Sequence, residues 1–236
     1  MIQIFFAALL IALPSAALAQ ANSCIVPDVL PELRVDAPPP DEIRKVPVTG
    51  YLLSLSWSPQ YCRDKQSSAA DAGQCGKDAR FGFILHGLWP EGDRQIDPAW
   101  CGEAKPLDAG LVKQHFCMTP SARLLQHEWA KHGTCMARYS PASYFERSNA
   151  LYYGLRFPDM DGLSRRNLLT AGDLATAFAA ANRGMTADMM RVTATREGWL
   201  DEIWICLNKA FRPARCPAHQ GGLSSNASLK IWRGSR

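Results

Sequence analysis

Hydrophobic and polar positions change period several times along the chain, and each change marks an element. Leu53, Leu55 and Trp57 alternate with Ser54 and Ser56, the period of two that predicts a half-buried strand over residues 51–57. Phe81-Gly82-Phe83-Ile84-Leu85 is a continuous apolar run and reads as a central strand that delivers His86 at its end. Residues 107–116 and 122–132 read as helices. Pro120-Ser121 can start the second of these, and Gly133 can stop it. Ser140-Pro141 opens a third helix whose apolar residues are Tyr144, Phe145, Leu151 and Tyr152. Thr170 with Asp173 resembles a capping box ahead of an alanine-rich helix that runs to about residue 181. The last third turns β-like at 190–195, 199–207 and 229–232. With no internal repeat and no second linker, the pattern predicts a single α+β domain.

The N-terminal end has a different character. Residues 1–19 carry no charged side chain, hold an apolar run of about ten residues and finish in Ala17-Leu18-Ala19, small residues where a signal peptidase reads. The run is too short for the ~20 residues of a spanning helix, so it reads as a cleaved secretory signal. Residues 20–47, with Pro38-Pro39-Pro40, read as an extended lead-in pinned by Cys24, and 48–236 as the folded unit. The mature protein is then expected to be secreted or periplasmic, monomeric and without a membrane partner. All eight cysteines (Cys24, Cys62, Cys75, Cys101, Cys117, Cys135, Cys206, Cys216) follow the signal, and an even count in an exported chain predicts disulfides. Their spacing does not fix who pairs with whom. The loop between Cys62 and Cys75 is expected to be tied. A formal net charge of +4 suits a polyanionic partner without demanding one.

Candidate chemistry gathers in two short segments, His86-Gly87-Leu88-Trp89-Pro90 and His127-Glu128-Trp129-Ala130-Lys131-His132. On a helix, residues four apart share a face, so His127 stacks on Lys131 and Glu128 on His132. His127 and His132, five apart, lie about 140° around the axis from one another. That spacing, with a lysine among the ligands, excludes the His-Glu-x-x-His zinc helix of a metallopeptidase, and no metal or other cofactor is expected. Two histidines can instead supply the base that takes the 2′-hydroxyl proton of RNA and the acid that protonates the departing 5′-oxygen. A lysine or further imidazolium beside them stabilises the charge of the transition state. Spacing alone does not say which histidine is acid and which is base.

These residues resemble the two active-site signatures of the ribonuclease T2 family. The resemblance extends to Leu55-Ser56-Trp57-Ser58-Pro59, Tyr61-Cys62, Glu202-Ile203-Trp204-Ile205-Cys206 and Cys216-Pro217, in matching order from about residue 51 onward. It implies an α+β fold with a central antiparallel sheet flanked by helices. It also implies metal-free cleavage of single-stranded RNA, with little base preference, through a 2′,3′-cyclic phosphate to 3′-phosphate ends. His132 would then be the base, His86 the acid and His127 the phosphate ligand, while Glu128 and Lys131 would stabilise the pentacoordinate state. Trp89 would stack on a base, with Glu91, Trp57 and Tyr61 as further candidates for base contact. The same resemblance implies bridges Cys62–Cys75, Cys101–Cys135 and Cys206–Cys216, leaving Cys24–Cys117. Outside the site, Trp129 is expected in the core, His115 at the surface, and His219 in a loop without a role. The main rival is an exported protein that keeps this fold only to bind RNA or a partner.

Overall fold

The computed structural model describes residues 23–93 and 96–234. The secretory-signal reading of residues 1–19 lies outside them. The first strand, β1 (Gly50–Trp57), leads into a short helix α1 (Ser58–Tyr61), and a second short helix α2 (Ala72–Cys75) closes the tied loop. The second strand, β2 (Phe83–Glu91), is followed by α3 (Ala109–His115), α4 (Ala122–Lys131), α5 (Pro141–Tyr153), α6 (Met160–Ser164) and α7 (Ala171–Ala181). Two further strands, β3 (Met190–Ala194) and β4 (Leu200–Leu207), complete one antiparallel sheet in the order β2-β1-β4-β3. Among the described residues no helix is long and apolar enough to cross a membrane.

The caps follow the sequence signals. Asp108 and Ser121 accept backbone N–H groups at the starts of α3 and α4. Ser140 with Ser143 and Thr170 with Asp173 form capping boxes at α5 and α7. Gly133 ends α4 for a different reason than expected. It does not sit at positive φ; a Cβ there would run into the Trp129 ring, so only glycine lets the chain pass that close.

Period two sorts the sheet into two faces. Leu53, Leu55 and Trp57 of β1 share a face with Phe83, Leu85 and Leu88 of β2 and with Ile203, Ile205 and Leu207 of β4, all buried in the main core. Tyr144 and Tyr152 of α5 close this core and donate their hydroxyls to the carbonyls of Leu88 and Phe83. Trp129 belongs to the same core. The opposite face carries Leu52, Ser54 and Ser56 of β1 beside Trp89 and Gly87 of β2 and Trp204 and Glu202 of β4.

Four sequence expectations change. β2 is an edge strand rather than a central one, its outer side covered where Leu85 N donates to Met118 O and Thr119 Oγ1 donates to Leu85 O. It also runs past His86 to Glu91, so His86 lies within the strand. Residues 229–232 form bridges to neighbouring segments, not a sheet strand. His115, expected at the surface, is 1% exposed, because its ring packs against Phe145 at 5.4 Å. The four disulfides join Cys24 to Cys117, Cys62 to Cys75, Cys101 to Cys135 and Cys206 to Cys216, the pairs that the resemblance implies.

Candidate active site

A β-bulge builds the first half of the site. Register along β1 and β2 slips between Ser54 and Leu55: Ser54 faces Gly87, Leu55 faces Leu85, and His86 is the extra residue. The slip reverses the alternation beyond it, so Leu88 enters the core and Trp89 joins His86 on the opposite face. Strict alternation would have buried Trp89. The bulge also brings Gly87 beneath α4, where a Cβ would collide with the Glu128 carboxylate and the Trp89 indole nitrogen.

His86 is braced on both sides. Glu202 Oε1 lies 2.6 Å from its Nδ1 and Glu128 Oε1 lies 3.5 Å from its Nε2. An ionised carboxylate can only accept, so Nδ1 carries a hydrogen and donates to Glu202. Three other donors converge on the same carboxylate: Ser56 Oγ at 2.6 Å, Trp204 Nε1 at 2.6 Å and Ser54 Oγ at 3.2 Å. Burial alone would lower the His86 pKa, but the bond to Glu202 and the charges of Glu128 and Glu202 overcome it and raise it to about 9. Glu202 responds in kind. Burial pushes it up, yet His86, Ser56 and Trp204 pull it down to about 2. The pair is an imidazolium and a carboxylate at neutral pH.

The second half comes from α4. Glu128 is 2% exposed and accepts a 2.7 Å bond from Trp89 Nε1. Burial raises its pKa, opposed by the charge of His86, the Trp89 bond and the charges of His127 and Lys131. His132 caps the helix, its backbone N–H donating to Glu128 O at 3.0 Å. Its ring stacks on Trp89, with centroids 5.3 Å apart and planes at 25°, while His86 meets the same indole edge-on at 5.1 Å. The Nδ1 of His132 is buried without a hydrogen-bond partner. Burial, followed by the positive charges of Lys131, His127 and His86, holds its pKa well below the usual imidazole value. His132 is therefore neutral where His86 is charged.

His127 stands at the outer edge. Its Nδ1 lies 2.7 Å from Asp36 Oδ2, and its ring meets Trp100 edge-on at 5.4 Å. Trp100 N donates to Lys131 O at 2.8 Å, which ties this loop to the end of the helix. Next to it, the Cys101–Cys135 bridge joins the same loop to the turn after His132. Glu91, two residues beyond Trp89, is half-buried, and burial followed by the nearby Asp97 raises its pKa to about 7.

The structure therefore brings His86, Trp89, Glu128, Lys131, His132 and His127 to one locality. Two predicted base-contact residues do not join them. Trp57 is 5% exposed, packed on Phe83 and bonded through Nε1 to Trp232 O at 2.6 Å, which makes it a core residue. Tyr61 bonds to Asp71 at 2.8 Å with the Lys65 ammonium over its ring, and none of these contacts involves the histidines. Sequence reasoning missed Glu202, Trp204, Trp100 and Asp36. The polar half of the β1 alternation, Ser54 and Ser56, was a usable signal for the first two. A serine that is 0% exposed must be bonded to something, and here that is Glu202.

A charged and a neutral histidine against one tryptophan, with the buried Glu128 carboxylate bonded to that indole and facing His86, form a site equipped for acid–base chemistry. The chain matches the sequence model described as the Ribonuclease T2 family over residues 48–216. A probable ribonuclease of Haemophilus influenzae is 33% identical over 188 residues, covering 73% of this chain and 62% of that protein. A ribonuclease of Aeromonas hydrophila is 32% identical over 161 residues, 67% of this chain and 71% of that protein. In fold, the chain is similar to trichomaglin, an S-like ribonuclease (TM-score 0.61, 21% identity, 78% of this chain and 98% of that one). It is also similar to RNase NT, solved in complex with 5′-AMP (TM-score 0.60, 19% identity, 78% and 98%). The chain belongs to the ribonuclease T2 family.

Proposed function

We propose that this protein is an exported endoribonuclease that cleaves single-stranded RNA without a metal, through a 2′,3′-cyclic phosphate, with little base preference. The observation that carries the reading is that His86 and His132 meet one indole in opposed surroundings, His86 bonded to Glu202 and facing Glu128, His132 buried with Nδ1 unbonded, which drive their pKa values apart. Two titratable groups of one type whose surroundings drive their pKa values apart are the acid and the base of a reaction. His132, neutral, takes the proton of the 2′-hydroxyl, and the freed oxygen attacks phosphorus. The bond from phosphorus to the 5′-oxygen breaks, and His86 gives that oxygen its proton from Nε2, the nitrogen not committed to Glu202. Water then opens the cyclic phosphate with the two histidines in exchanged roles, leaving a 3′-phosphate.

His127 holds the phosphate, and Glu128 with Lys131 stabilises the pentacoordinate state. Trp89 presents its indole to His132, and an imidazolium formed there gains from the ring face. A flexible single strand suits in-line attack, because its backbone is free to turn. Export is supported by the apolar leader in the sequence and by four disulfides, which persist in oxidising compartments.

The deciding experiment digests a defined RNA oligomer in excess EDTA and identifies the ends by mass. Cyclic phosphates that mature to 3′-phosphates are expected, and one 2′-deoxy residue should block cleavage at that position alone. Cleavage at the deoxy position, or 5′-phosphate ends, would overturn the mechanism.

A further inference from the structure

The N-terminal lead-in reaches the site. It is stapled by Cys24–Cys117, and Leu30 and Leu33 pack against the main core. Val35 fits against Ala99, Trp100 and Ala130. Further along, Glu42 accepts from Trp100 Nε1 at 3.3 Å, and Arg44 exchanges both backbone hydrogen bonds with Ala99. Between these anchors stands Asp36, whose carboxylate meets His127 Nδ1 at 2.7 Å. Asp36 lies twelve residues before the family match begins at 48.

We propose that Asp36 is a positioning residue for RNA cleavage. Its carboxylate takes the Nδ1–H of His127 and fixes the plane of the ring, so that Nε2–H of the doubly protonated imidazole is the donor aimed at a substrate phosphate. The proposal rests on the reading of His127 as the phosphate ligand. An ionised carboxylate has no hydrogen to give, so the 2.7 Å contact requires the hydrogen on Nδ1. The edge of the Trp100 ring, 5.4 Å from the imidazole and at 85° to it, limits rotation from the other side. Trp100 is itself held by Lys131 O and by Glu42, so the lead-in braces His127 both directly and through Trp100. His127 keeps 33% of its side chain exposed and Asp36 55%, which leaves the imidazole accessible to a ligand while bonded. A carboxylate on one ring nitrogen orients the other, as carboxylate–histidine pairs behind metal ions illustrate.

The test compares steady-state cleavage of a dinucleotide by the full chain and by Asp36→Asn, Asp36→Glu, His127→Ala and the double variant Asp36→Asn/His127→Ala. Phosphate held equally in ground and transition states is read in KM, so Asp36→Asn should raise KM about threefold to fivefold with kcat little changed. Asp36→Glu should recover most of that loss, and Asp36→Asn should add nothing once His127 is gone. Ring ¹⁵N shifts of the wild type should report Nδ1–H on His127, and that signature should weaken in Asp36→Asn. An unchanged KM in Asp36→Asn, or an Nδ1 without hydrogen in the wild type, would overturn the proposal. A lower KM would do so as well, and would identify the carboxylate as a competitor of substrate phosphate. If His127→Ala itself leaves KM untouched, the failure lies in the role given to His127, and Asp36 falls with it.

Discussion

His86 and His132 are the same residue held in opposite surroundings. His86 sits on a sheet bulge, its Nδ1 locked to a carboxylate that collects three more donors. His132 sits at a helix end, its Nδ1 buried and unbonded, with Lys131, His127 and His86 as the neighbours that press its pKa down. Both are strongly desolvated, so burial alone would push both toward neutrality. What separates them is the sign of the nearest charge. Glu202 of the sheet and Glu128 of α4 face His86, while Lys131 and the charged His86 press on His132. One indole lies between them and touches both rings.

The most forceful way to break this comparison is to remove either ring. His86→Ala and His132→Ala should each lower kcat/KM by roughly 10²–10⁴ with the thermal midpoint little changed, read by RNA hydrolysis beside far-UV circular dichroism. Loss of one ring with full activity retained would remove the acid–base pair. The brace comes next. Glu202→Gln keeps the shape and removes the charge, and should cost roughly tenfold to a hundredfold in kcat/KM.

The same variant sharpens the comparison through pH. An acid must be protonated, so wild-type kcat/KM should fall as pH rises through about 9, the raised His86 value. The base must be neutral, so the acid limb should lie below the ordinary imidazole value of 6.5. Glu202→Gln should move the alkaline limb down toward 6.5 and leave the acid limb in place. If instead the acid limb moves, the two roles are reversed.

Gly87→Ala tests how closely the two halves meet. The added methyl would press on Glu128 and Trp89, and overpacking of this kind costs about 1–3 kcal/mol in stability. Activity should fall with it, because the displaced carboxylate lies against His86. The paired change Cys101→Ser with Cys135→Ser should lower stability by about 2–4 kcal/mol. At ~2–4 °C per kcal/mol, the melting midpoint then drops by roughly 5–15 °C, with a smaller effect on rate.

Stability itself should also depend on pH. Glu202 falls from 4.5 to about 2, so its contribution is complete above 4.5 and is lost as pH drops toward 2. His86 rises from 6.5 to about 9, so its contribution is complete below 6.5 and is lost as pH climbs through 9. The pair should support stability fully between about 4.5 and 6.5, and Glu202→Gln should flatten the decline on both sides.

Much of this was legible in the chain. Apolar alternation marked β1, the β-like stretch at 199–207 marked β4, Ser121, Ser140 and Thr170 marked helix starts, and the two histidine segments marked the chemistry. Those are local properties, written within a few residues of one another. His115 misled because a lone histidine near a helix end reads as polar, while its ring found Phe145 to pack on. Trp57 and Tyr61 stood near the signatures in sequence, yet one turned into the core and the other toward Asp71.

By itself, then, the sequence determined which elements form and which residue types are available for proton transfer. Period, capping and composition act over a turn or a strand. Tertiary structure alone decided how each imidazole is charged. Ser56 and Glu202, 146 positions apart, meet through strand register, and Asp36 and His127, 91 apart, meet because a disulfide and a few apolar contacts steer the lead-in. The bulge at His86 depends on how β1 and β2 align, and a one-residue slip there reverses which side chains face the site. Charge follows from those long-range meetings, because Coulomb energy depends on distance in space and on burial, neither of which is written in chain order.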